Sequence, residues 1–481
     1  MIKKSSILLL TSLLSLSLGA CHSNQSSSST SFLTHDESSI SSINPTSSSS
    51  NESSQRRQID PEEALEFISD TTLAGGLCVK AKLKNINGDL VIPSEHDGQP
   101  VTCIYCFGFQ NCDYLYSVVI PDSVIEIQWE AFNGCDRLES VSIGKGVKTI
   151  GSAAFKACPS LKEIVIPDSV TQINEMAFHS CESLKSAVIG KGLNKIADYQ
   201  FYLCNKLENV TIPNNVTTIG AFAFSNCGIK EINIPNSVTS IQFSAFHSCY
   251  NLTKINVPDS VIDFGHAVFV GCENLKEINF GANNLNYCSV DGVVYNKTKT
   301  ELICFPNGWE KDFNISDSVT VIGAYAFSGC ANLLEYTIPN HVNAVGDNAF
   351  AYCHNLVHVY VPESVTSFGA YCFAGCSLLR SFSFPSRVIG IETGMFMNCR
   401  ELMYVDIPDG VMYIGSSVFE GCDTLKLVVL PKTIKNLGIW IFDYGTVLIF
   451  YKGNEEEWNA IEKSSTTLSI YKDGTTLYFY S

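Results

Sequence analysis

Cations are scarce in this chain of 481 residues: 31 lysines and arginines stand against 48 aspartates and glutamates, a net charge of −17, and charged residues of both signs make up only 16%. No run of more than two basic residues relieves that deficit. Such a chain is a poor binder of nucleic acid and of anionic membrane surfaces. Long apolar runs are absent as well. The longest candidate, Ile7 to Leu18, has about 12 residues, too few to cross a hydrocarbon core of roughly 30 Å. Catalytic signatures are missing: there is no phosphate-binding glycine loop, no GxSxG elbow and no dinucleotide fingerprint. His354 and His358 stand four apart without the glutamate of a zinc-protease helix, and His179 and His247, each in an Ala-Phe-His-Ser-Cys turn, are expected at the surface. Asp122, Asp168 and Asp259 fall where turns favour aspartate. Neither an enzyme nor a cofactor is expected from this inventory.

Cysteine, by contrast, is abundant, with 20 residues, and it is periodic. Cys112, Cys135, Cys158, Cys181, Cys204, Cys227, Cys249, Cys272, Cys330, Cys353, Cys376, Cys399 and Cys422 each lie three residues after a phenylalanine. The step is 23 residues, with one step of 22 (Cys227 to Cys249) and one long gap (Cys272 to Cys330). A period of this length marks a solenoid, in which each unit touches only its neighbours. Within a unit the apolar slots are fixed, as in Leu161, Ile164, Ile166, Val170, Ile173, Ala177 and Phe178. Ile164-Val165-Ile166 alternates and predicts a short strand with Val165 outward. Pro167 ends it and Asp168-Ser169 turn the chain. Val170 to Ile173 returns on the opposite side, and Ala177-Phe178 is expected in a 3₁₀ or helical turn. The phenylalanine beat occurs fourteen times from Phe109 to Phe442, a stack of about 65 to 70 Å at one rung per 4.8 Å.

The N-terminus reads as a processing segment. Lys3 and Lys4 precede the apolar run, and Leu18-Gly19-Ala20-Cys21 closes it. This resembles the bacterial lipobox, and the resemblance implies cleavage before Cys21 and lipid on that residue. Residues 21–58, mostly serine, cannot bury enough surface to order and are expected to act as a tether reaching on the order of 30 to 36 Å.

The unit itself, with Ile-Pro, Ser-Val and Ala-Phe-x-x-Cys recurring in register, resembles the BspA-type leucine-rich repeat. That resemblance covers about Leu90 to Phe442. It implies a right-handed coil with a parallel β-sheet on its concave face and 3₁₀ or helical turns opposite. The expected organisation is a signal peptide (1–20), the tether (21–58), an N-terminal cap (59–100), the solenoid (101–445) and a C-terminal cap (446–481). An insertion at about 281–318 should form a hairpin, with Val293-Val294-Tyr295 and Leu302-Ile303 as arms around Asn296 to Lys299. Departures from the repeat are few: Gly144 and Gly146, like Gly190 and Gly192, replace the proline turn.

The repeat cysteines take a slot that ordinary leucine-rich repeats give to leucine, so free, buried thiols are expected. Stacking would bring their Cα atoms near enough for disulfides, although side chains pointing the same way along a column disfavour them. Cys103 and Cys106 form a lone CxxC, short of the ligands a zinc site needs, and no metal is expected. Binding is the remaining function. Outward positions beside the strands are small and polar early on, then include His358, Tyr360, Tyr404 and Asp406. Exposed aromatics favour partner contact. The family resemblance implies binding of host or microbial surface and matrix proteins or glycans, and with the lipobox the expectation is a lipid-anchored, non-enzymatic, monomeric surface protein. A spacer without a ligand and a glycan-binding accessory protein are the alternatives.

Overall fold

Each 23-residue unit makes one coil, and like slots fall opposite one another in neighbouring coils. Glu163–Val165, Ser186–Val188 and Asn209–Thr211 pair in parallel, with Ile164, Ala187 and Val210 aligned. The computed structural model describes residues 57–70, 75–310, 313–442, 447–463 and 476–479. The signal segment, Cys21, most of the tether and Gly445 lie outside them. On the strand face Ile164 is buried while Glu163 and Val165 are exposed, the alternation expected of a half-buried strand. A second parallel ladder of two-residue strands runs along another side, as in Glu126–Ile127, Thr149–Ile150 and Gln172–Ile173. The coil with the 22-residue step forms no strand at Glu231 to Asn233, but its part of the second ladder is intact at Ser240–Ile241.

The turns are not helical, contrary to expectation. Two residues in each turn have positive φ, such as Ala153 and Ala157 (54° and 53°) and Tyr199 and Leu203 (56° and 61°). A left-handed residue costs a non-glycine side chain about 1–2 kcal/mol and stops a right-handed helix from propagating. In exchange, the alternating φ signs aim backbone N–H groups along the stack. Glu130 N–H donates to Ser152 O (2.9 Å), Phe132 N–H to Ala154 O (2.7 Å) and Gly134 N–H to Lys156 O (2.9 Å). The turn side is therefore a hydrogen-bonded ladder too.

Inside, phenylalanines stack in one column. Successive ring centroids from Phe109 to Phe155 are 4.9 and 5.2 Å apart, within 10° of parallel. Beside them the thiols do more than fill space. In eleven coils the cysteine S–H donates to the carbonyl of the phenylalanine one coil earlier, at 3.1–3.2 Å, as Cys135 does to Phe109 and Cys399 to Phe373. That carbonyl already accepts from the cysteine backbone in its own turn, Cys112 N–H to Phe109 O at 3.2 Å. The thiol occupies its second lone pair, which an alanine of similar size could not do.

The insertion is a three-stranded antiparallel meander: Tyr287–Val290, Val293–Asn296 and Glu301–Cys304. The expected hairpin is its second half. The first turn is Asp291-Gly292, with φ of 51° and 81°, the pair of positive values a two-residue hairpin turn demands. The middle strand is a wall between two cores. Val294 packs into the upstream core, which begins at Ile59, and Val293 and Tyr295 into the downstream core, which ends at Ile461. The last strand rejoins the second ladder through Leu302 and Ile322.

Both ends are covered. Leu65–Ser69 and Leu77–Ala81 form an antiparallel hairpin whose second strand pairs in parallel with Gln99–Ile104. A disulfide joins Cys78 to Cys103 across that pair. Cys103 is thus half of a crosslink that the sequence did not announce, while Cys106 keeps a free, half-buried thiol. At the far end Leu448–Tyr451 and Thr476–Phe479 extend the strand face. Helix Glu455–Asn459, capped by Asn454 and Glu457, presses Trp458 against Tyr451 with ring centroids 5.2 Å apart.

Candidate binding surface

The strand face presents two columns of outward side chains. In one, His358 stands next to Glu335, and further along Tyr404 follows Ser381 and precedes Leu427 and Leu448. In the other, Tyr360 stands next to Thr337, and Asp406 follows Ser383 and precedes Val429 and Phe450. Tyr360 is 54% exposed and Tyr404 45%, while His358 is half-buried. The four residues thus share one face, in two groups separated by the serine row. His358 and Tyr360 rings are 6.4 Å apart. Asp406 is already engaged, since Lys452 Nζ donates to its Oδ1 at 3.2 Å. Burial first, and the carboxylate of Asp406 next, push the Tyr404 hydroxyl above its ordinary pKa.

Sequence reasoning missed the continuation of this strip. Leu448 and Tyr478 are exposed on the strands that follow Leu427–Leu430. Their apolar character was legible, but their register on the same columns was not, because the cap lacks the repeat. The upstream end of the face is also less polar than expected, since Val119, Val165 and Val188 are exposed there among the serines. Between the two regions the strand face is interrupted. The Asp291-Gly292 tip covers Glu277–Phe280, and beyond it lies a cleft of about 840 Å3 lined by Trp309, Phe313, Leu334, Glu335 and Tyr336.

The histidines are not on the surface as expected. His247 is buried and His179 half-buried. Burial lowers the pKa of both to about 4, keeping the rings neutral at physiological pH. Their Nδ1 atoms meet Ser248 and Ser180 Oγ at 3.0 and 2.8 Å. The turn position is as expected; what the sequence could not show is that neighbouring coils close over it. A serine–histidine pair as deeply buried as His247 with Ser248 gives a substrate no access. The column thiols are inert as well. Burial pushes Cys112 and Cys330 up to about 12, and Cys181, Cys353 and Cys399 well above the ordinary thiol range. Asp70 lies beside Cys78 and Cys103, but both sulfurs are committed to each other and offer no thiolate to a metal.

The repeat runs on both sides of the insertion, with its cysteine–carbonyl bonds from Cys135 to Cys272 and again from Cys353 to Cys422, and the family model of the BspA-type leucine-rich repeat region matches overlapping segments, 102–210, 194–311, 298–426 and 390–451. The chain belongs to the BspA-type leucine-rich repeat family. A leucine-rich cell surface protein from Faecalibacterium prausnitzii is 30% identical, with 86% of this chain and 99% of that chain covered and a TM-score of 0.55. A leucine-rich repeat protein from Eubacterium ventriosum is 22% identical over 85% of this chain and 99% of its own, with a TM-score of 0.47. The pneumococcal vaccine antigen PcpA is 19% identical over 89% and 98%, with a TM-score of 0.45. No curated protein matches the chain. BspA-type solenoids are in general binding scaffolds rather than enzymes. Among the described residues no helix is long and apolar enough to cross a membrane.

Proposed function

We propose that this BspA-type protein is held at the outer face of a bacterial membrane by lipid on Cys21. Its residues 21–58 act as a tether, and its solenoid binds host or microbial surface and matrix proteins without catalysing a reaction. The observation that carries the binding surface is the exposure of Tyr360 and Tyr404 on one strand face, extended by Leu448 and Tyr478. Rigid, half-apolar rings contribute much contact area at small entropic cost. The Cys78–Cys103 disulfide suits an extracytoplasmic protein, because such bonds persist in oxidising compartments.

The test uses the full chain displayed on cells. Replacing His358, Tyr360 and Tyr404 together with alanine should abolish capture of the extracellular proteins that the parent retains. Unchanged capture of every one would remove the strand face from consideration. Cys21→Ser should release the protein from the membrane fraction, and retention there would refute the anchor.

A further inference from the structure

On the turn side, three consecutive downstream coils each carry a tyrosine where the backbone is left-handed. Tyr325, Tyr352 and Tyr371 have φ of 60°, 59° and 57°. Bulky residues pay most for that conformation, and the other left-handed slots of these coils hold Gly329, Asn348 and Gly375. The placement of the rings is specific. A Cβ built on Gly375 would come within 2.7 Å of Tyr352 Cδ1 and 3.2 Å of its Cε1. The ring therefore lies over the glycine of the next coil, in the same slot. Gly394 stands in the same relation to the Tyr371 ring, whose Cε1 and Cδ1 fill the space a Cβ would need. Tyr325 leans on Phe243 (5.8 Å) and His266 (6.3 Å). All three are half-buried, as rings laid against a surface should be, and the half-buried turn positions beside Tyr325 and Tyr371 are Ala324 and Ala370.

Charge narrows what such a surface can bind. From Phe313 to Leu379 the sequence has no lysine or arginine. The groups that act on the Tyr325 hydroxyl, after its burial, are Asp347 and Tyr352. A polyanion, whether nucleic acid, acidic glycan or phospholipid headgroup, would find no lysine or arginine in this stretch to pair with. An uncharged chain of sugar rings would find partly exposed aromatic rings on three successive coils, Tyr325 and Tyr371 two residues before the phenylalanines of their coils and Tyr352 two residues after. We propose that Tyr325, Tyr352 and Tyr371 form a stacking platform for an uncharged polysaccharide. The platform is on a different side from the strand-face strip, so the two surfaces can fail separately.

Native gels cast with barley β-glucan, xyloglucan or galactomannan test this on the full chain, with polygalacturonate as the anionic comparison. At least one neutral polymer should slow the protein and polygalacturonate should not. The Tyr325→Ala/Tyr352→Ala/Tyr371→Ala variant should bind about ten-fold more weakly and migrate as in an empty gel, while the three Tyr→Phe changes should keep most of the retardation. Single Tyr352→Ala and Tyr371→Ala changes should each lose part of it, so that the idea stays testable if the triple variant does not fold. Tyr360→Ala/Tyr404→Ala should be retarded as the parent is. Mobility unaffected by all three neutral polymers, or alanine variants retarded like the parent, would overturn the platform.

Discussion

Upstream of the hairpin the strand face carries Ser140, Ser142, Glu163 and an ion pair, Lys254 to Glu277 at 2.6 Å, and the turn side carries Glu130 and Lys156. Downstream, from Phe313 to Leu379, neither side has a lysine or arginine, and tyrosines stand on both. Yet the two interiors are nearly interchangeable: the same phenylalanine column, with centroids 5.0 and 5.3 Å apart from Phe327 to Phe373, and the same thiol-to-carbonyl bonds. A solenoid separates its slots so cleanly that the interior can stay constant while the surface changes. The hairpin adds a physical partition, because Val293 and Val294 face different cores.

The partition can be broken first through the cores. Phe178→Ala and Phe350→Ala should each cost about 3–5 kcal/mol, and each should act on its own half. Amide hydrogen exchange should quicken from Cys112 to Phe280 in the first variant and from Val319 to Ile441 in the second. Equal acceleration on both sides of the hairpin would show one cooperative body instead.

A smaller effect separates the halves by pH. His247 lies upstream, with a folded pKa of about 4 against an ordinary 6.5 for histidine. Between those values the unfolded chain binds the extra proton, so stability falls as pH drops from 6.5 and levels off below 4, by about 3 kcal/mol in all. Denaturation of the upstream half should follow that slope with a second contribution of the same sign from His179, and His247→Gln should make it shallower. A slope unchanged by the substitution would place the sensitivity elsewhere.

The gentlest probe is a count of thiols. Seventeen cysteines of the described body are free. Alkylation in guanidinium without reductant should label those seventeen (plus Cys21 if it is unmodified), and reduction should expose two more, Cys78 and Cys103. In the native protein the half-buried Cys106 and Cys288 should react well before any column thiol. Extensive loss of free thiols would mean that the columns are oxidised.

The period and the slots facing inward were legible, because each depends on residue types that recur. What escaped depends on neighbours one coil away. The left-handed turn positions hold Ala153, Met176, Leu203 and Tyr352 as readily as glycine, since inter-coil hydrogen bonds, not residue type, enforce them. Asp291-Gly292 is a readable hairpin signal, overshadowed by the longer polar turn that follows. The partner of Cys103 lay in a cap with no repeat to set its register, and the burial of His247 came from side chains of adjoining coils. On the strand face, the outward placing of Tyr360 and Tyr404 was readable from strand alternation, whereas the packing of Tyr352 and Tyr371 was not, because their rings rest on glycines of the next coil.

The thiol columns also have a bearing on biogenesis. Once stacked, these sulfurs are buried and meet no oxidant, but in the unfolded chain any of them can mispair with any other. For a chain exported into an oxidising compartment, coil assembly has to outrun oxidation. The architecture favours that outcome. Every column contact joins residues about one repeat apart, so each coil can close on its predecessor as it emerges, and contacts of such short sequence separation form fast.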